Sequence, residues 1–178
     1  AFWSDVSDLV VESFNEAFDL KRMSVSQRRA IITLIHKGKD LSRDDLGNWR
    51  PISLTNFDYK ILAKILANRF KGVISEIIDD DQTAYIRGRN ITTILRLIDD
   101  IIEYVEMNNK TGAILALDYR KAFDSISKEY LIECFKMFGF GDEFIQWVET
   151  LMSETESSVI HFGWISEFFP VLSGVRQG

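Results

Sequence analysis

Cysteine, histidine and proline are nearly missing: the 178 residues hold one Cys, two His and two Pro. A lone Cys134 excludes an internal disulfide framework and a cysteine-rich zinc site, and fits a reducing compartment. His36 and His161 are isolated, and solvent-facing or strand positions account for both. No apolar run approaches the roughly 18 residues that a membrane-spanning helix needs. Internal repeats and low-complexity linkers are absent. So are an initiating Met and a basic leader: the chain opens Ala1-Phe2-Trp3-Ser4 and reads as a piece of something longer.

What is present is ordinary for a folded protein, 46% hydrophobic and 27% charged, long enough for one domain or two small lobes. The net charge of −6 argues against a nucleic-acid partner, but its distribution argues for one. Lys21 to Lys71 carries 12 basic and 4 acidic residues, a net of +8 on a body that is otherwise −14. A polyphosphate responds to the local field, so such a segment can bind backbone phosphates. A solvated basic helix face gives the same count.

Periodicity predicts a helix from a Ser4 cap to about Leu20, and a strand at Ala30–Ile35. A polar loop follows over His36–Asn48, then an extended segment Trp49–Leu54, since Pro51 disfavours helix at Arg50. Two long helices are expected at 56–78 and 90–108, the first capped by Thr55 or Asn56 and the second by Asn90. Asp79-Asp80-Asp81 reads as a solvated helix end, because three adjacent carboxylates cannot converge on one ion. Ser127 and Asp142 are expected to cap two further helices, ending at Phe138 and Met152. Ser157–Phe162 and Ile165–Phe169 flank Gly163-Trp164 as hairpin arms.

The centre of the chain is Ala113-Ile114-Leu115-Ala116-Leu117-Asp118, read as a strand buried on both faces that delivers a carboxylate at its end. A carboxylate so placed is rigid yet reachable, as a hard divalent cation requires. Equally, Asp118 can begin a turn and Asp124 can cap the next helix.

Together with Tyr119-Arg120-Lys121-Ala122-Phe123-Asp124, this stretch resembles the first catalytic motif of reverse transcriptases, nearest the non-LTR (LINE-type) retrotransposon branch. Three other stretches resemble the same family in the same order. They are Ile32–Asp40 with Asn48–Leu54, then Gln82–Asn90, then Leu172–Gly178. The resemblance implies an α+β fold: the helix-rich fingers and partial palm of a right-hand polymerase, with a small, mostly antiparallel sheet. Residues 1–110 would be fingers, with helices 56–78 and 90–108 packing towards the palm, and 111–178 partial palm.

By the same resemblance Asp118 is catalytic and, with the Tyr119 carbonyl, a ligand of Mg²⁺ or Mn²⁺. Arg50, with Lys37 and Lys39, would meet the triphosphate of an incoming deoxynucleotide; a plain surface hairpin is the competing reading. Phe123 would exclude a ribose 2′-hydroxyl, and Gln177 would support the nascent base pair. Gln82, Arg87, Gly88, Arg89 and Gly174 would lie along the template.

The expected activity is copying of retrotransposon RNA into DNA from a DNA primer, in a nuclear and cytoplasmic ribonucleoprotein. The Tyr-x-Asp-Asp-like tetrad that supplies further carboxylates occurs nowhere in the chain, so the 178 residues alone are expected to be inactive. An unpaired palm edge is expected to promote self-association. Two rival readings share the motifs: a non-catalytic RNA-binding protein domesticated from such an element, and the reverse-transcriptase part of a group II intron maturase.

Overall fold

A computed structural model describes residues 2–176. They divide into two compact units, one made of residues 2–66 and 121–176, the other of residues 67–120.

The first unit opens with α1 (Trp3–Asp19), whose apolar stripe buries Phe14 and Ala17. Phe2 occupies the cap position and Ser4 lies inside the helix, its hydroxyl turned to Asp5, so the expected Ser4 cap does not form. A single turn, α2 (Val25–Arg28), carries a capping box in which Ser24 and Gln27 exchange hydrogen bonds. The chain then enters β1 (Arg29–His36), and β2 (Trp49–Thr55) returns beside it in antiparallel register, Ile35 opposite Arg50. Proline is tolerated in β2 because that strand is the sheet edge.

After α6 (Ala122–Ser125), α7 (Lys128–Met137) and α8 (Asp142–Met152), β3 (Glu156–His161) adds to the other side of β1 in parallel. Arg29 faces Glu156 in that register and pairs with it at 2.8 Å, which helps fix where the two strands meet. The hairpin to β4 (Trp164–Ile165) turns on Phe162 and Gly163, both at positive φ as a two-residue type I′ turn requires. β5 (Phe169–Pro170) also pairs with β3. The sheet is therefore small and antiparallel at every pair except β1–β3.

Ser127 caps α7 as expected, accepting from the Tyr130 amide at 3.2 Å. Asp142 is instead the first residue of α8, behind a Gly141 cap, where its charge still favours the helix N-terminus. The core gathers Phe14, Ala17, Met23, Leu62, Leu66 and Leu151, with Tyr59, Phe144 and Trp147 packed on it. A Gln146 side-chain bond to the Phe18 carbonyl (2.8 Å) and a Phe18–Trp147 ring contact tie α8 to α1.

The division between units falls within α3 (Phe57–Phe70). The long helix expected at 56–78 is broken: α3 stops at Phe70, a turn at Lys71–Val73 intervenes, and α4 (Ile74–Ile77) follows. Gly72 in that turn is a poor helix former. Asn56 stands just before α3, its carbonyl accepting the Lys60 amide at 3.2 Å and its side-chain amide bonding the Ser26 carbonyl.

In the second unit α5 (Ile91–Met107) does begin on Asn90, whose Oδ1 accepts the Thr92 amide at 2.9 Å. None of its residues is buried, although its apolar side chains keep helical spacing. The central strand expected at 113–117 is absent. This stretch has no regular structure, and Leu115 and Leu117 are 80% and 81% exposed. A strand exists only through its ladder. Among the described residues no backbone partner reaches 113–117, because the sheet is built from β1 to β5 instead. In place of the expected sheet edge there is an exposed apolar stretch.

Candidate active site

Within the first unit, the β1–β2 hairpin and α6 line one cavity of about 670 Å³. Lys37, Arg50 and Lys121 border it, together with Leu34, Trp49 and Asp124. Three cations lining a cavity that also presents Leu34, Trp49 and Val159 suit an anionic ligand that also carries a flat or hydrophobic part.

The hairpin loop that holds Lys37 and leads into Arg50 is laced by its own polar groups. Asp45 accepts the Gly47 amide at 2.7 Å, Asn48 donates to the Ser42 carbonyl at 2.9 Å, and the Trp49 indole donates to the Arg43 carbonyl at 3.0 Å. Lys37 bonds the Gly47 carbonyl at 2.7 Å, and its ammonium has donors left for a ligand. Lys39 is exposed further along the loop.

Lys121 was not singled out in the sequence, although its place inside the first motif was a signal. It is in the left-handed region (φ 51°) and starts α6, the single turn that carries Phe123. Phe123 is half exposed, as a side chain that meets a ligand must be. Asp124 lies inside α6 and does not cap it, which corrects the structural reading of that residue.

The loop ending at Arg176 packs on α6. Gly174 is at φ +80°, and a Cβ there would sit 2.7 Å from the Asp124 carbonyl oxygen, so no other residue fits. Its place in this loop is conformational, whatever else it touches. Gln177 lies outside the described residues.

The remaining candidates belong to the second unit. Gly88 takes φ +84° with open space around it, so backbone conformation alone requires glycine. Arg89, expected on a template, is committed inside its own loop. Its guanidinium bonds the carbonyls of Ser75 (3.2 Å), Ile78 (2.8 Å), Gln82 (2.9 Å) and Asp79, and the Asp80 carboxylate at 3.2 Å. A planar fork can gather the free carbonyls past a helix end in this way. Arg87 is exposed, as is Gln82.

Asp118 and Tyr119 are both on the exposed, irregular stretch. They supply a carboxylate and a carbonyl, donors of the kind a hard divalent ion takes. Such an ion needs about six oxygens, and among the described residues no group of three His, Cys, Asp or Glu could hold one. The pair fits as part of a ligand set and not as a whole one.

Comparison with known proteins agrees with the motif order. The family model described as "Reverse transcriptase (RNA-dependent DNA polymerase)" matches residues 35–178. The "Transposon TX1 uncharacterized 149 kDa protein" of Xenopus laevis is 34% identical over 178 residues, covering 99% of this chain and 13% of its own length. The "Retrovirus-related Pol polyprotein from type-1 retrotransposable element R2" of Popillia japonica is 26% identical over 147 residues, 82% of this chain and 20% of that one. The corresponding R2DM polyprotein of Drosophila melanogaster is 27% identical over 131 residues, 74% of this chain and 12% of that one. The chain thus spans a fifth or less of these relatives.

Proposed function

Because this chain belongs to the reverse transcriptase family, we propose that the protein carrying it copies RNA into DNA, as the polymerase of a non-LTR retroelement. The observation that carries this reading is the cavity shared by Lys37, Arg50 and Lys121 beside the turn that bears Phe123. In it Arg50 grips phosphate oxygens with its planar fork, and the lysines neutralise the rest of a triphosphate. Lys39 joins them from the loop. Phe123 forms the wall against which the sugar rests and rejects a 2′-oxygen by overlap.

Asp118 and the Tyr119 carbonyl contribute oxygens to a divalent ion, Mg²⁺ or Mn²⁺. When bound, such an ion lowers the barrier by neutralising charge at the reacting phosphate. Gln82, Arg87 and Gly88 follow the template, with Arg89 keeping their loop in shape. Gly174 also lies along the template, and Gln177 supports the base pair being formed. We assign residues 113–117 as a palm strand completed by a ladder partner elsewhere in the longer protein, and residues 1–110 to the fingers.

The partners are an RNA template, a DNA primer and deoxynucleoside triphosphates, within a ribonucleoprotein of nucleus and cytoplasm. The relatives named above are transposon and retrotransposon proteins, which supports this over a maturase. Exposed Ile114, Leu115 and Leu117 support self-association of the 178-residue chain, which sedimentation against concentration tests.

The deciding experiment is primer extension on an RNA template by the complete protein. Arg50→Ala is expected to raise the deoxynucleotide KM by roughly 10- to 100-fold, the worth of a charged hydrogen-bonded pair, with a smaller change in kcat. An unchanged KM refutes the phosphate role.

A further inference from the structure

We propose that Arg176 is a positioning residue for nucleotide selection: by anchoring the 173–176 loop to the sheet, it fixes the backbone that carries Phe123. This rests on the reading of Phe123 as the side chain that tells deoxyribose from ribose.

Phe123 sits on a helix of one turn, Ala122–Ser125, which is too short to hold its own shape. Its position is set from outside. The Val175 amide donates to the Phe123 carbonyl at 2.8 Å, and the Gly174 amide to the Ile126 carbonyl at 2.8 Å. The Ser173 hydroxyl reaches the Asp124 carbonyl at 3.4 Å. Gly174 presses so closely on Asp124 that the two backbones must move together.

The loop making these bonds has no regular structure, so it needs an anchor of its own. Arg176 supplies it. One guanidinium nitrogen donates to the Glu156 carbonyl at 2.9 Å and to the Arg28 carbonyl, where β3 and β1 begin. The guanidinium also stands over the Tyr59 ring of α3, 5.3 Å from its centre. Burial pulls its pKa below the ordinary arginine value. A charge is held in this half-buried place by two carbonyls and a ring face, a combination that a flat guanidinium meets and an ammonium does not.

The contacts therefore run from the sheet through Arg176 and the 173–175 backbone to Phe123. A steric wall discriminates only if it does not yield, so slack anywhere along this path weakens rejection of the extra hydroxyl before it weakens catalysis.

In the complete polymerase, kcat/KM is measured for a deoxynucleotide and its ribonucleotide counterpart, with Phe123→Val as the reference variant. Arg176→Gln is expected to lower the deoxy-to-ribo preference by about tenfold, the scale of a sub-ångström misplacement, and Arg176→Lys by less. Equal losses for both nucleotides, with the ratio unchanged, mark a merely structural residue and overturn the proposal.

Should Arg176→Gln fail to fold, Arg176→Lys decides by amide hydrogen exchange. The Val175 and Gly174 amides are expected to exchange at least about fivefold faster than in the parent, and unchanged rates overturn the proposal. If Phe123→Val itself leaves the ratio intact, the reading of Phe123 fails. If it lowers the ratio and the Arg176 variants do not, only the positioning role fails.

Discussion

Two irregular segments, 113–119 in one unit and 173–176 in the other, are held in opposite ways. The later one bonds α6 through two amides and a hydroxyl, and bonds the strand starts through Arg176. The earlier one is more apolar and more strand-like in sequence, yet among the described residues no backbone hydrogen bond reaches it. Apolar character alone does not order a chain, since every buried backbone group must also find a partner. A loop rich in Gly and Ser found those partners, and a run of Ile, Leu and Ala did not.

The contrast breaks first at Gly174. Gly174→Ala meets both a positive φ and the Asp124 backbone, and is expected to destabilise the 178-residue chain by about 3 kcal/mol in urea titration. A loss under about 1 kcal/mol would show that the loop yields easily. Lys128 is the next test, because it stitches this loop's approach to the end of α8. Its ammonium bonds the carbonyls of Met152 (2.9 Å) and Val171 (2.7 Å) and the Thr155 hydroxyl at 3.1 Å. Lys128→Met orphans those acceptors and is expected to cost about 2 kcal/mol. A neutral result would mean that water replaces the ammonium.

A smaller effect appears only in alkali. Burial holds the Tyr59 hydroxyl above its ordinary pKa of 10.0, with the Arg176 charge opposing. The folded state then keeps this proton where the unfolded state has lost it, so stability falls as pH rises past 10. Burial, and then the charge of Arg176, pull Lys128 the other way, which adds stability as pH approaches its ordinary 10.5. Tyr59→Phe isolates the first contribution: the alkaline loss should become shallower. An identical pH profile would sink that assignment.

The smallest effect is expected at the unheld segment. Leu115→Asp, in a residue 80% exposed, should change stability by no more than about 0.5 kcal/mol despite its strand-like setting. A loss well beyond that would mean that 113–117 is packed in solution.

Much of the local structure was legible because its causes are local. Asn90 and Ser127 cap the helices they precede, the β-branched run after Arg29 is a strand, and Pro51 lies in an extended edge. Arg50, Lys37 and Phe123 could be singled out from their motifs, and the fold brings the first two to one cavity. Lys121 and Arg176 were passed over although they stand inside the same motifs, since nothing local says which face a basic side chain will meet.

Residue type and order by themselves determined the family and the starts of α5 and α7, because caps and motif spacing are short-range chemistry. Only the tertiary structure decided that β1 pairs with β3 across most of the chain, and that Arg89 closes its own loop while Arg176 anchors another. It also decided that the most strand-like stretch stays unpaired. Hydrogen-bond partners distant in sequence carry no local signature, and a ladder exists only when its other side is in place.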